Sequence, residues 1–164
     1  MSRRRPMRRP VRTQTYTLLD ELAASTVHPL PEATRVSQLS RMWEGLAAIE
    51  RAPEPTVDDW RVCSDAVNLL ESLIVMGELQ DVDGLLPEAV HTIWTCGKRY
   101  NEGRGLRLDA RGIFVVRSIL EDYAEALAAL PARTMIQAHR RTERRIQEIQ
   151  AGRKQPHDVT VMAL

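Results

Sequence analysis

The sequence predicts an all-α fold, an antiparallel bundle of about five helices in a single domain. Apolar side chains recur every three or four residues through five long stretches, which is the spacing of a helix buried on one side. No stretch of useful length alternates apolar and polar residues as a half-buried strand does. Short segments containing Pro or Gly separate the helical stretches, and short connections favour antiparallel neighbours.

The chain divides into a basic arm at residues 1–12, a helical domain at 13–152 and a tail at 153–164. With 164 residues, of which 43% are hydrophobic and 27% charged, it has the composition of one globular domain. The arm contains six arginines, two prolines and no acidic residue, so we expect it to be disordered. The tail contains the strand-like run Val159 to Val161, for which the sequence offers no partner strand.

A short helix is expected within residues 13–24, followed by long helices at about 31–51 and 57–78. Prolines at positions 29 and 31 prevent the short helix from continuing. Pro31 suits the first position of the next helix, and Thr56 is a suitable N-cap for the one after it. The apolar positions of these three helices are Leu18, Leu19, Leu22, then Val36, Leu39, Met42, Trp43, Leu46, Ile49, then Trp60, Cys63, Val67, Leu70, Ile74 and Gly77.

Three more helices are expected at about 85–100, 110–130 and 132–151. Asp109 is a good N-cap for the second of them, and Pro131 suits the start of the third. The β-branched residues near position 115 resemble a strand locally, but the helical spacing around them continues for five turns. The expected inner faces contain Leu86, Val90, Ile93, Trp94, Gly97, then Ile113, Val116, Ile119, Leu120, Tyr123, Ala124, Leu127, then Met135, Ile136, His139, Ile146 and Ile149.

Charge is distributed in blocks, although the net charge is only +1. Residues 1–12 carry six arginines without an acid, whereas residues 13–97 carry fourteen acids against four bases. Residues 133–164 are again basic, with seven basic and three acidic side chains. Such asymmetry indicates contact with a polyanion, with an acidic partner, or with the acidic surface of the protein itself, within one chain or across a homodimer.

Four arginines in the last helix form the sharpest of these signals. Arg140 and Arg144 are four residues apart, as are Arg141 and Arg145, and like charges at this spacing repel one another. The alternatives are a solvated or internally ion-paired face, a phosphate-binding face and a face for an acidic protein. No base-reading motif accompanies these arginines, so any nucleic-acid binding would involve the phosphate backbone and would weaken with salt. We expect Lys98, Arg99, Arg3, Arg4 and Arg5 to contribute to the same contacts.

The sequence gives little support for catalysis, a metal or a cofactor. The Gly-rich segment at residues 97–105 lacks P-loop spacing, and its glycines suit turns instead. The four histidines are scattered, and neither Cys63 nor Cys96 has a histidine at a spacing that suggests a base. An enzyme would need a pocket in which titratable groups converge. We therefore expect no enzymatic activity, no metal and no cofactor.

Localisation follows from what the sequence lacks. No apolar run approaches the roughly 20 residues of a membrane span, and the basic start lacks the apolar region of a secretory signal. Two cysteines do not make a disulfide framework. A cytoplasmic protein without a membrane partner is expected.

Four segments of the chain carry a resemblance: LPART at 130–134, AHRRTERRI at 138–146, PHDV at 156–159 and DAVNLLE at 65–71. They resemble segments of a group of uncharacterised small helical proteins encoded by plasmids and prophages of GC-rich proteobacteria. The resemblance covers about residues 40–160 and excludes the arm. It implies a mobile-element setting but no assigned activity, so no catalytic residue carries over. Within it, His139 and Asp158 are the polar positions of interest.

Together these observations predict a non-enzymatic accessory protein of a mobile element that acts by protein–protein binding. Its basic ends would add polyanion or self-association contacts. The alternative is a nucleic-acid-binding regulator that uses the basic last helix and the N-terminal arm. The partner, the oligomeric state and the role of the tail are left open by the sequence.

Overall fold

The structure is a computed structural model that describes residues 15–152, and within this range every regular element is a helix. The all-α prediction is therefore confirmed for the described residues, with five long helices and one short one. The predicted disordered arm and the tail lie outside the described residues. The helices are α1 (Leu18–Ala23), α2 (Glu32–Arg51), α3 (Val57–Val75), α4 (Leu86–Asn101), α5 (Ala110–Ala129) and α6 (Ala132–Gln150).

The starts of α3 and α5 coincide with the predicted caps, whereas Pro31 immediately precedes α2 and is not its first residue. Thr56 accepts a hydrogen bond from the backbone N–H of Asp59, and the Asp59 carboxylate accepts one from the backbone N–H of Thr56 at 2.7 Å. Asp109 accepts from the backbone N–H of Gly112 at 2.7 Å. Each cap satisfies donors that the first turn of a helix leaves unpaired, which fixes where the helix begins.

The end of α3 differs from the prediction, which extended this helix to residue 78 and placed Gly77 on its inner face. The helix ends at Val75, and Gly77 is exposed with a φ of 79°. The backbone N–H of Glu78 then donates to the Leu73 carbonyl at 3.0 Å, which closes the last turn. Gly77 is a helix terminator because the left-handed conformation it adopts suits a residue without a side chain.

Helix α3 forms the centre of the fold and packs against α2, α4, α5 and α6. It runs antiparallel to α2, since Met42 faces Cys63 whereas Gly45 faces Asp59. The closest approach is at Gly45, where an added Cβ would lie 2.8 Å from the Asp59 carbonyl oxygen. The surrounding core is mostly aliphatic, and it includes Leu46, Ile49, Val67, Leu73, Ile93, Ile119, Leu127 and Met135.

Two more positions predicted to face the core are exposed. Trp94 is 42% exposed, and the Lys98 ammonium lies 4.6 Å from the centre of its ring. Val36 is also more than half exposed. By contrast, Trp60 is buried and its indole N–H donates to the Ile93 carbonyl at 3.0 Å. Periodicity identified the apolar stripe of each helix, but it did not show how much of each stripe the neighbouring helices would cover.

Candidate functional site

Of the four clustered arginines of α6, Arg140, Arg141, Arg144 and Arg145, two are paired with acids inside the molecule. Arg140 forms an ion pair with Glu21 of α1. Arg145 lies 3.6 Å from Glu71 of α3, and these two side chains are only 11% and 8% exposed. The structure thus brings one face of the predicted basic cluster against α1 and α3.

The remaining two arginines of α6 are less well compensated. Burial is the main cause that lowers the pKa of Arg141, and the neighbouring charges of Arg145 and Arg144 lower it further. Only Glu71 acts in the opposite direction, and burial raises the pKa of Glu71 itself. Arg144 is exposed. Arg141 and Arg144 therefore remain the cationic positions of α6 that an external anion could approach.

The other predicted cations do not join this cluster. Lys98 and Arg99 belong to α4, which packs on α3 and α5, whereas α6 packs on α3 and α1. Arg99 donates to the Arg107 carbonyl at 2.6 Å, and Arg107 in turn donates to the carbonyls of Ile49 and Pro53. These side chains tie the loop between α4 and α5 to the end of α2. Arg3, Arg4 and Arg5 lie outside the described residues.

A cleft of about 290 Å³ opens between α3 and α6. We call it the α3–α6 cleft. Its wall includes Asp65, His139 and Glu143, and apolar contact is supplied by Leu69 and Ile146. Tyr16 covers the histidine, with ring centres 5.1 Å apart in an edge-on arrangement. Titratable side chains therefore converge here, as the sequence analysis required of a pocket with enzymatic potential.

Burial shifts the pKa values of His139 and Asp65 in opposite directions. It lowers the pKa of His139 to about 4, and His139 Nε2 has no hydrogen-bond partner among residues 15–152. It raises the pKa of Asp65 to about 6, although Arg41 and Arg61 act against that rise. Both shifts favour the uncharged form, because a charge loses its hydration when it is buried.

The hydroxyl group at the base of this cleft is already engaged. Thr142 Oγ1 lies 2.7 Å from Ser72 Oγ and 3.4 Å from the carbonyl oxygen of Asn68, to which it donates. It therefore links α6 to α3 and is not aligned as a nucleophile with His139. The arrangement can bind a polar group through the His139 imidazole and the Asp65 carboxyl, which are a buried base and a buried acid.

Sequence reasoning named His139 but overlooked the polar side chains that α3 presents to it. The signal was available, because Asp65, Asn68, Glu71 and Ser72 follow helical spacing within a helix that is otherwise apolar. Helices buried on several sides seldom carry such a row unless a neighbour supplies polar partners. That neighbour is α6.

Helix α1 presents three leucines to solvent. Leu18, Leu19 and Leu22, the apolar positions of the short helix expected from the sequence, are 53%, 76% and 60% exposed. We call these three residues the leucine face.

The contacts that hold α1 in place are polar and come from α6. Arg133 donates to the backbone carbonyls of Glu21 and Leu22 at 3.1 and 2.7 Å, and Gln137 donates to the Glu21 carboxylate at 3.1 Å. With the Arg140 pair, three side chains of α6 fix a six-residue helix whose leucines remain uncovered. A helix this short is not stable by itself, so these contacts determine its position.

Comparison with family models, with curated proteins and with solved structures finds no match for this chain. No helix within residues 15–152 combines the length and the apolar character that crossing a bilayer demands. Over the same residues, no group of three or more His, Cys, Asp or Glu side chains is arranged to hold a metal ion.

Proposed function

We propose that this protein is a non-enzymatic, cytoplasmic accessory protein of a plasmid or prophage that acts by binding another protein. The mobile-element setting is supported by the resemblance of its sequence segments, and the cytoplasm by its two unpaired, buried cysteines. Protein binding is supported by one observation, the leucine face. Polar contacts hold α1 so that its leucines are directed to solvent, and clustered exposed apolar side chains mark interaction surfaces.

The partner we propose is a protein with an apolar groove and an acidic rim. The three leucines would occupy the groove, as in other recognition of short amphipathic helices. Arg144 is exposed on the neighbouring helix, and the six arginines of the arm precede α1 directly in sequence. An acidic rim would attract both, which accelerates association and favours one orientation.

The test compares the wild-type protein with the double variant Leu19→Glu/Leu22→Glu. Because these side chains are exposed, we expect the variant to fold. Its urea midpoint should differ from that of wild type by no more than surface substitutions usually cause. The matched control is Val75→Glu/Phe114→Glu, which also places two charges at apolar positions more than half exposed. Proteins captured from lysates of the native host are quantified by mass spectrometry and then verified by binding of the purified partner.

We expect the wild-type protein and the control to bind the same acidic protein with similar affinity, and the leucine-face variant to lose it. Equal binding by all three proteins would refute a role for this face. Light scattering on the same samples measures the molar mass and so tests for self-association. A dimer that only the leucine-face variant converts to monomer would identify a second copy as the occupant and overturn the proposed acidic partner.

The alternative, a nucleic-acid-binding regulator, is favoured by the crowding of Arg141 beside Arg144 and Arg145. A bound phosphate would relieve this repulsion, which Glu71 offsets only in part. The informative variant is Arg141→Gln/Arg144→Gln, since neutralising Arg140 or Arg145 would also leave Glu21 or Glu71 without its cation. This alternative predicts that the affinity for DNA or RNA decreases steeply as the salt concentration rises. The slope of log affinity against log salt concentration should be smaller in magnitude by about 2 in the variant. Absence of a mobility shift at low salt would eliminate it.

A further inference from the structure

A second cleft, of about 330 Å³, lies on the acidic side of the molecule between the end of α3, residues 79–83 and the second half of α5. We call it the acidic cleft. Its floor is apolar, with Leu70, Ile74, Leu79 and Ala126. The residues that line this cleft are separate from the leucine face.

Carboxylates surround this floor without cations to balance them. Asp83, Asp122 and Glu125 take part in none of the ion pairs found among residues 15–152. Burial raises the pKa of Asp122, and the charges of Asp83, Glu125 and other nearby acids raise it further. Asp81 has a separate task, since its carboxylate accepts hydrogen bonds from the backbone N–H groups that begin α4.

The chemistry of the cleft favours an extended cationic chain over a metal ion. None of the acid groups within residues 15–152 has the arrangement of a metal site. Arginine suits this cleft better, because its methylene groups can cover an apolar floor while its guanidinium group forms two hydrogen bonds to a carboxylate. A segment with several arginines could place one beside each acid of the rim.

We propose that the acidic cleft binds the Arg-rich N-terminal segment of the same chain, residues 3–12. This segment carries six arginines and no acid, together with apolar residues between them. Fourteen residues precede Thr15 and span about 46–50 Å when extended, so the arginines at the start of this segment reach farthest from α1 and those at its end lie closer to it. A tether of this length holds the arginines at an effective concentration in the millimolar range, which favours the chain's own arm over that of a second copy.

The contact has a functional consequence for the arm. Arginines that occupy the cleft are not available to a nucleic acid or to an acidic protein, so an external polyanion must compete with the protein's own acids. Binding of such a partner would release the cleft, and salt would weaken both contacts.

The experiment uses the full-length chain with a nitroxide spin label on a cysteine introduced as Ser2→Cys. Cys63 and Cys96 have no exposed surface, so the label attaches to the introduced thiol alone. Paramagnetic broadening is then measured for the backbone amides of an isotopically labelled sample. We expect amides near residues 79–83 and 122–129 to lose intensity selectively, and to recover it at high salt.

Two triple variants with the same change in net charge distinguish an effect of the cleft from an effect of the overall charge of the protein. Asp83→Asn/Asp122→Asn/Glu125→Gln removes the uncompensated rim and leaves Asp81 to cap α4. The matched control neutralises three exposed acids on other surfaces, Glu32→Gln/Glu44→Gln/Glu102→Gln. We expect selective broadening to disappear in the cleft variant and to persist in the control, while urea midpoints show that both are folded.

Three results would overturn the proposal. The first is uniform broadening, or none, in the otherwise wild-type chain. The second is an equal loss of broadening in both triple variants, which would assign the effect to net charge. The third concerns a mixture in which isotopically labelled chains without a nitroxide are combined with spin-labelled chains. Broadening of cleft amides in this mixture would show that the arm of a second copy occupies the cleft.

Discussion

The α3–α6 cleft holds two groups whose titration should change the stability of the fold in opposite directions. His139 has a pKa of about 4 in the folded protein, below the usual value of 6.5. The unfolded chain therefore binds a proton first as the pH falls, so this histidine makes the fold less stable between about pH 6.5 and pH 4. Asp65 has a pKa of about 6, above its usual 3.8, so the folded state binds its proton first and acidification stabilises the fold.

The magnitudes follow from these pKa values. Between pH 7 and pH 5, titration of His139 lowers the free energy of unfolding by about 2 kcal/mol. Over the same range, titration of Asp65 raises it by about 1 kcal/mol. The two contributions have opposite signs, so the pH profile of the wild-type protein shows only their difference.

Single substitutions should reveal each contribution. On acidification from pH 7 to pH 5, we expect the free energy of unfolding of Asp65→Asn to fall by about 1 kcal/mol more than that of wild type, because only the histidine contribution remains. Over the same change in pH, the free energy of unfolding of His139→Gln should rise by about 2 kcal/mol relative to that of wild type. Urea unfolding followed by far-ultraviolet circular dichroism at pH 7, 6 and 5 gives these values, provided that the m-value stays constant.

The difference from wild type is the informative quantity, because other carboxylates titrate in the same range and contribute equally to all three proteins. The double variant provides the control, since its profile should equal the sum of the single changes if the groups titrate independently. Parallel pH profiles for wild type and both single variants would show that burial does not shift these groups as the structure implies.

Three further predictions concern stability in urea. Glu71→Leu leaves Arg145 buried without its acid and should cost about 3–5 kcal/mol, whereas Glu71→Leu/Arg145→Leu should recover most of that loss; equal midpoints for the single and double variants would contradict this. Gly45→Ala should cost about 1–3 kcal/mol because its methyl group would press on the Asp59 carbonyl, while Gly105→Ala, which has open space around it, is the neutral control. Thr56→Ala removes one half of the capping box and should cost about 1 kcal/mol, a loss that Ser at this position would largely restore.

The sequence was sufficient for the elements of this fold because the signals are local. Helical spacing, the N-caps at Thr56 and Asp109, and the prolines at 31 and 131 depend only on residues within one turn. The end of α3 was misplaced because Gly77 was assigned to a stripe, although a glycine at the end of a helix is also the usual terminator.

The candidate sites were less predictable because they depend on which helices become neighbours. The ion pairs of Arg140 and Arg145 join residues that are more than seventy positions apart, and no local pattern selects them over solvation. The exposure of the leucine face and of Trp94 depends on which helices pack nearby and how much of these side chains they cover. Charge blocks nevertheless indicated that some basic residues would meet the protein's own acids, and the structure shows where two of them do.

The attachment of α1 has a consequence for how the protein is made. This helix packs on α6, and its anchor Glu21 meets Gln137 and Arg140 across more than a hundred residues of chain. Synthesis proceeds from the N-terminus, so α1 leaves the ribosome long before its docking surface exists. Until the last helix emerges, the three leucines belong to a free segment that any chaperone or protease in the cell can reach.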